Sequence, residues 1–206
     1  GSMLVTATSL KLHPGNALGA AAAGMLSIDG RCKTLDKRAN GYVRSEAVGA
    51  LVLRQLDVIA AGAIEVAGSL VRQDGRSASL TAPNGSAQRT LLAAVLRRAA
   101  LTPAEVGAVE MHGTGTGLGD PTEGGALAGL HGAAAGRASS LWVTAAKASV
   151  GHSEAASGQV GMLSVWQRLH CGGAGVGNPK LQVANPLVAE RLRDSRGSFA
   201  LSTQAG

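Results

Sequence analysis

Aromatic side chains are almost missing from this 206-residue sequence: Tyr42, Trp142, Trp166 and Phe199 are all it has. A core without rings must be filled by Ala, Val and Leu, and the 45% of apolar residues is enough for one or two compact units. Long apolar runs are lacking too. No stretch reaches the eighteen residues of a membrane span, and the N-terminus has no basic-then-apolar secretion signal, so the sequence reads as soluble and cytoplasmic. The two cysteines, Cys32 and Cys171, lie far apart without metal-type spacing, which fits reduced thiols and argues against a structural zinc site. Asp and Glu number 13 against 19 Lys and Arg, and the resulting charge of +6 favours an acidic partner by steering. Arg72, Arg76, Arg97, Arg98 and Arg191 are scattered, with no aromatic-basic platform, so no nucleic-acid partner is expected.

What the sequence does have is glycine, 30 residues of it, implying many tight turns and close backbone approaches. Gly1 and Ser2 read as the scar of a removed purification tag. Residues 3–10 (MLVTATSL) and 47–56 read as strands, and so do 64–71. Between the first two lies a loop-rich excursion with a small Ala-rich segment and Asp-Gly and Asn-Gly turns. Asn84 and Ser86 can cap a helix with Leu91, Leu92, Val95 and Leu96 on its apolar face and Arg89, Arg97 and Arg98 toward water. Thr102-Pro-Ala-Glu105 has the spacing of a capping box before a strand at 107–111. A further strand at 141–146 leads into a helix ending near Leu169. Alternation of this kind indicates a layered α/β fold with a mostly parallel or mixed sheet, whose ligand crevice lies beyond the strand carboxyl ends.

Two histidines sit at such ends. His112 opens a run of glycines and threonines (HGTGTGLG) in which the backbone can approach a ligand closely and Thr114 and Thr116 add hydroxyls. A phosphate cradle is a rival reading, but the run lacks the Lys of a P-loop. Asp120 and Glu123 fit the start of a capped helix. His152 has Lys147 five residues before it and Glu154 two after, a trio that can tune each other's protonation or, more plainly, a Lys147–Glu154 ion pair at a helix start. No spacing supports a zinc site on the two histidines, and no G-x-S-x-G elbow supports a hydrolase using Ser149 or Ser153.

The blocks DKRANGYVRSEAVGALVL, VRQDGRSASLTAPNGSAQ, VEMHGTGTGLGDPTEGGAL and KASVGHSEAASG together resemble the β-ketoacyl synthase (ketosynthase) domains of modular type I polyketide synthases, in order and spacing, over nearly the whole chain. The resemblance implies a thiolase-like α/β fold of mixed sheets with helices, incomplete at both ends. Residues 3–56 would be the end of an N-terminal half and 57–206 most of a C-terminal half. It further implies His112 and His152 as the paired active-site histidines, Lys147 and Glu154 as the groups supporting the second, and Thr114 and Thr116 as residues lining a phosphopantetheine arm. That arm belongs to an acyl carrier protein, so the implied partners are that protein, other polyketide synthase domains and a second copy of the chain.

The family's cysteine nucleophile precedes the strand that residues 3–10 resemble, and its motif is absent; neither Cys32 nor Cys171 occupies that place. The link between Leu56 and Ile64 is shorter than the family's, leaving room for one helical turn or less, and Ala148-Ser149 stands where the family has Ser-Asn. The resemblance therefore implies decarboxylative Claisen condensation for the parent domain and no condensation by the chain alone. A remnant that only binds a carrier protein or another synthase chain is the alternative.

Overall fold

The computed structural model describes residues 1–58, 63–79, 82–171, 178–195 and 197–201. These residues form two sheets. In the first, β1 (Ser2–Ser9) pairs antiparallel with β2 (Ala47–Arg54) from Ser2↔Arg54 to Ser9↔Ala47. Ser2 is thus the first residue of β1, and Gly1 accepts the Gln55 N–H at 3.0 Å. Between these strands run the helix α1 (Gly15–Ala22) and a long turn-rich segment.

The second sheet is parallel, in the order β3-β4-β5, with β3 Ala108–Glu110, β4 Leu141–Thr144 and β5 Phe199–Leu201. Its centre is β4, where Leu141 and Val143 point inward and Trp142 between them faces out, the alternation of a strand buried on one face. Two helical starts follow the predicted caps. In α2 (Gly85–Arg98) the Asn84 carboxamide accepts the Ser86 and Ala87 N–H groups, and its arginines lie exposed as expected. The capping box is also present: Thr102 and Glu105 hold the 3-10 turn Pro103–Glu105 that leads into β3.

The described fold is completed by α3 (Gly119–His131), the single turn α4 (Lys147–Val150), α5 (Ser157–His170) and the short α6 (Pro186–Arg191). Helix α3 packs against both α2 and α6, while α5 touches both β2 and β3 and so links the sheets. The core lies under the parallel sheet, where Leu35, Met111, Leu127, Leu141, Val143, Leu181 and Val188 form one buried cluster. Leu141, Leu181 and Val188 are wholly buried, each contributing roughly 1.5–3 kcal/mol.

One expected strand does not form. Residues 64–71 have β-branched and apolar residues in the right proportion, yet no ladder partner is assigned to them, and Val66 and Val71 stand exposed. The segment instead lies along α2, with Gly68 close to Val95 and Ala99. A strand is stabilised by its neighbour, and this segment has none among the described residues. The Leu56–Ile64 link falls partly outside the described residues.

Candidate active site

The loop after β3 is built to be rigid. Thr34 Oγ1 donates to the Gly113 carbonyl at 2.6 Å and the Gly41 N–H to the Gly115 carbonyl at 2.9 Å, so the distant segment around Cys32–Asp36 braces the histidine loop. Gly115 has φ +76 and lies so close to that segment that a Cβ there would sit 2.7 Å from the Lys33 nitrogen. Only glycine fits.

Where the sequence suggests that Asp120 and Glu123 cap their own helix, the structure has them holding the loop. The wholly buried Asp120 accepts the Leu35 N–H at 2.7 Å and the Gly115 N–H at 3.1 Å, and burial lifts its pKa to about 6. Glu123 accepts the N–H groups of His112 and Gly113 at 2.7 and 3.0 Å, and burial raises its pKa as well. The N-cap position of α3 is Leu118, which has no side-chain acceptor, and the two acids inside the helix fix the loop before it.

His152 is positioned by residues 43–45, which run beside it as one parallel bridge: its N–H donates to the Val43 carbonyl at 2.8 Å and its carbonyl accepts the Ser45 N–H at 3.0 Å. Gly151, with φ +77, permits that approach, since a Cβ would meet Val43 and Ser45 at 3.1–3.2 Å. The His112 and His152 rings stand edge to face, 5.4 Å between centroids, and Tyr42 flanks His152 at 5.2 Å. The structure thus brings the two histidines together from separate strand ends.

Both rings are kept neutral near pH 7. Burial, the Lys147 charge and His112 lower the His152 pKa to about 4. The His112 ring is exposed to solvent yet has protein on several sides, and this desolvation together with Lys147 lowers its pKa too. Nδ1 of His152 accepts the Glu154 N–H at 3.1 Å, so the ring proton of the neutral form resides on Nε2.

Lys147 and Glu154 do not pair. The Glu154 carboxylate binds Arg44 at 2.8 Å and Lys11 at 2.7 Å, which holds its pKa at about 2, and Glu154 adopts φ +45 to reach them. Lys147 is buried, and burial lowers its pKa against the opposing pull of the Glu123 and Glu110 charges. Thr114 is buried and Thr116 partly exposed, their hydroxyls 3.4 Å apart, with Thr116 Oγ1 accepting the Gly119 N–H at 3.2 Å.

An apolar cavity of about 970 Å³ lies between β2, α2, α5 and residues 64–68. His112, Lys147 and Ser153 reach it; His152, Thr114, Thr116 and Glu154 do not line it. The Ser153 hydroxyl is buried without a hydrogen-bond partner among the described residues, and His152 Nδ1 is occupied by Glu154, so this geometry sets up no serine–histidine pair. Cys32 is equally unsuited to attack: it is buried between the N–H and carbonyl of Val43, and burial raises its pKa. Cys171 is exposed at the end of α5. Among the described residues no group of three His, Cys, Asp or Glu side chains could hold a metal ion, and no helix is long and apolar enough to cross a membrane.

Sequence reasoning missed Glu110. Its carboxylate accepts from Thr144 Oγ1 at 2.8 Å, from Ser164 Oγ at 3.3 Å and from the Ala146 N–H, tying β3, β4 and α5 together beneath both histidine loops. Its position two residues before His112, on the same face of the extended chain, was the one available signal. Tyr42, Arg44 and Lys11 carried none, because they reach the site only through long-range folding.

Residues 63–174 match the C-terminal domain of β-ketoacyl synthases and residues 1–58 the N-terminal domain. A phenolphthiocerol/phthiocerol polyketide synthase chain of Mycobacterium tuberculosis is 43% identical over 177 residues, which cover 82% of this chain and 8% of that protein. The highly reducing polyketide synthase azaB of Aspergillus niger is 38% identical over 205 residues, 98% of this chain and 8% of that protein. Among solved structures, the oxazolomycin ketosynthase domain OzmH KS7 of Streptomyces albus superposes with a TM-score of 0.85 at 28% identity, over 98% of this chain and 35% of that one. The ketosynthase from module 6 of the bacillaene synthase of Bacillus subtilis gives 0.81 at 31% identity, over 98% and 36%. The chain thus spans under a tenth of these curated relatives and about a third of these solved domains.

Proposed function

The chain belongs to the β-ketoacyl synthase family, of the type I polyketide synthase kind, and from that membership we propose that it supplies the paired-histidine part of a site for decarboxylative condensation. The substrate is a malonyl-type thioester carried on the phosphopantetheine arm of an acyl carrier protein. In the first step the bond between C2 and the carboxylate breaks and carbon dioxide leaves. The electron pair moves into an enolate whose oxygen is the former thioester carbonyl. Two neutral imidazoles that donate N–H to that oxygen stabilise it without holding a full positive charge of their own. In the second step C2 attacks an acyl thioester and the thiolate leaves.

The observation that carries this reading is the facing pair His112 and His152, with the proton of His152 directed to Nε2 by the Glu154 N–H. Lys147 supports it by lowering the basicity of both rings, and Glu154 by anchoring its own backbone, and with it Nδ1, to Lys11 and Arg44. Thr116, partly exposed where Thr114 is buried, is the better placed of the two threonines for the arm. Exposed Met3, Leu4, Val48 and Val52 on the β1–β2 sheet favour association with a second copy or with other synthase domains.

A specific observation favours a second reading, a module that only binds. Neither cysteine can hold an acyl group beside the histidines, because Cys32 is sequestered and Cys171 lies at the far end of α5. On either reading the chain alone does not condense. Carbon dioxide release from malonyl-pantetheine thioester separates the two. Release by the folded chain that is lost in His112→Ala and in His152→Ala supports the enzymatic reading. Release that survives both, or none above buffer, overturns it in favour of binding.

A further inference from the structure

On the side of α3 away from Glu123 lies a second cleft, of about 640 Å³, walled by the first turns of α2, by α3 and by the end of α6. Two arginines enter it from opposite sides. Arg89 of α2 lies across Gly129, where a Cβ would sit 3.1 Å from its Cδ and from one terminal guanidinium nitrogen. Arg191 of α6 lies across Gly125, 3.5 Å from its Cδ by the same construction. Gly125 and Gly129 are one helical turn apart, so the two arginine stems cross the α3 surface about 6 Å from each other. A side chain at Gly129 would press on Arg89, while at Gly125 a methyl would only touch Arg191.

Two like charges converge here without neutralisation. Among the described residues neither guanidinium makes an ion pair or side-chain hydrogen bond; the cleft's one carboxylate, Asp194, is beyond 4 Å of both. One acidic group against two cations leaves the cleft positive, and the positive end of the α2 dipole adds to it. A planar guanidinium presents paired donors that match the oxygens of a tetrahedral anion, and two of them one helical turn apart span a single phosphate.

We infer that this cleft between α2, α3 and α6 is a binding site for the phosphate of a small phosphate ester, separate from the histidine site. The cleft is open enough for the body of the ester to extend into solvent. Because Thr122 and Gly125 line the cleft while Glu123, on the same helix, holds the His112 loop, an occupied cleft rests on the element that positions the catalytic loop.

The test is titration of the full chain with inorganic phosphate and with phenyl phosphate at constant ionic strength, followed by calorimetry and by the amide signals of Gly125 and Gly129. Saturable binding is expected, with both glycine amides shifting and phenyl phosphate binding at least as tightly as phosphate. Arg89→Gln and Arg191→Gln should each weaken it by about tenfold, and the Lys variants should recover only part of that loss. Equal response to chloride, Gly125 and Gly129 signals that stay still, or affinity unchanged in the double Gln variant would overturn the proposal. The amide shifts in the unaltered chain decide the matter even if a variant fails to fold.

Discussion

Nδ1 of His152 accepts the backbone N–H of Glu154 at 3.1 Å. A protonated ring would turn a second N–H against that donor, so the bond itself opposes imidazolium. Burial and Lys147 act in the same direction, and the pKa falls from 6.5 to about 4. The ring is thereby kept neutral, with its one N–H at Nε2 oriented by a single backbone contact.

The pH dependence follows with a definite sign. In the unfolded chain His152 takes up its proton near 6.5, in the folded chain only near 4, so the unfolded state binds more protons between these values and stability falls as pH drops through that window. Glu154, held at about 2 by Arg44 and Lys11 against an ordinary 4.5, removes further stability as pH falls below 4.5. Asp120 opposes them: burial raises it from 3.8 to about 6, so it lowers stability as pH rises between those values. The Asp120→Asn variant should therefore lose more stability on going from pH 6.5 to pH 4 than the parent chain does. Urea midpoints at those two pH values check this, and imidazole shifts of His152 that report protonation near 6.5 would contradict it.

Glu110 should behave as the tie between the two histidine loops. Glu110→Ala strands the Ala146 N–H and leaves the Thr144 hydroxyl only the Val109 carbonyl at 3.4 Å, and a loss of about 1–3 kcal/mol is expected. Glu110→Gln keeps an oxygen for the Ala146 N–H, while the hydroxyls of Thr144 and Ser164 can turn to accept from its amide, so most of the stability should return. The ring-to-ring nuclear Overhauser contact between His112 and His152 should be lost in Glu110→Ala and kept in Glu110→Gln. A contact that persists in both would remove Glu110 from the positioning of the pair.

Gly115→Ala tests the brace on the HGTGTG loop. The residue needs φ +76 and has the Lys33 backbone where a methyl would go, so both conformation and space oppose alanine. A loss of at least about 2 kcal/mol is expected from the backbone term and the displaced segment. Gly117→Ala is the control, since nothing lies within 4 Å of its Cβ position. Equal urea midpoints for the two variants would mean that the Lys33 segment does not press on the loop.

Periodicity and caps made β1, β2, α2, β3, β4 and α5 legible from the sequence, because each carries a local signal: an apolar run, an Asn cap or a capping box. The strand expected at 64–71 failed because its pattern is local and its missing partner is not. Helix α6 was overlooked although Asn185 accepts the Leu187 N–H and Pro186 stands at the first helical position, a start signal as clear as the one before α2. At the site, the histidines and Lys147 were legible as strand-end residues. The true partners of Glu154 were not, since Lys11 and Arg44 lie more than a hundred residues away in sequence.

The two cysteines should separate cleanly under alkylation. A thiol reacts through its thiolate, and Cys32 is disfavoured twice: burial raises its pKa, and its sulfur is enclosed between the N–H and carbonyl of Val43. Cys171 is exposed at the end of α5, so its sulfur is open to the reagent. Iodoacetamide at neutral pH should modify one thiol quickly, located at Cys171 by peptide mass, and leave Cys32 intact until the chain is unfolded. The same order should hold for an acyl thioester donor: transfer to Cys171 at a rate unaffected by His112→Ala, and none to Cys32. If Cys32 is acylated in the folded chain, and the rate depends on the histidines, then the thiol near Lys147 is a working nucleophile and the chain can hold both partners of the condensation itself.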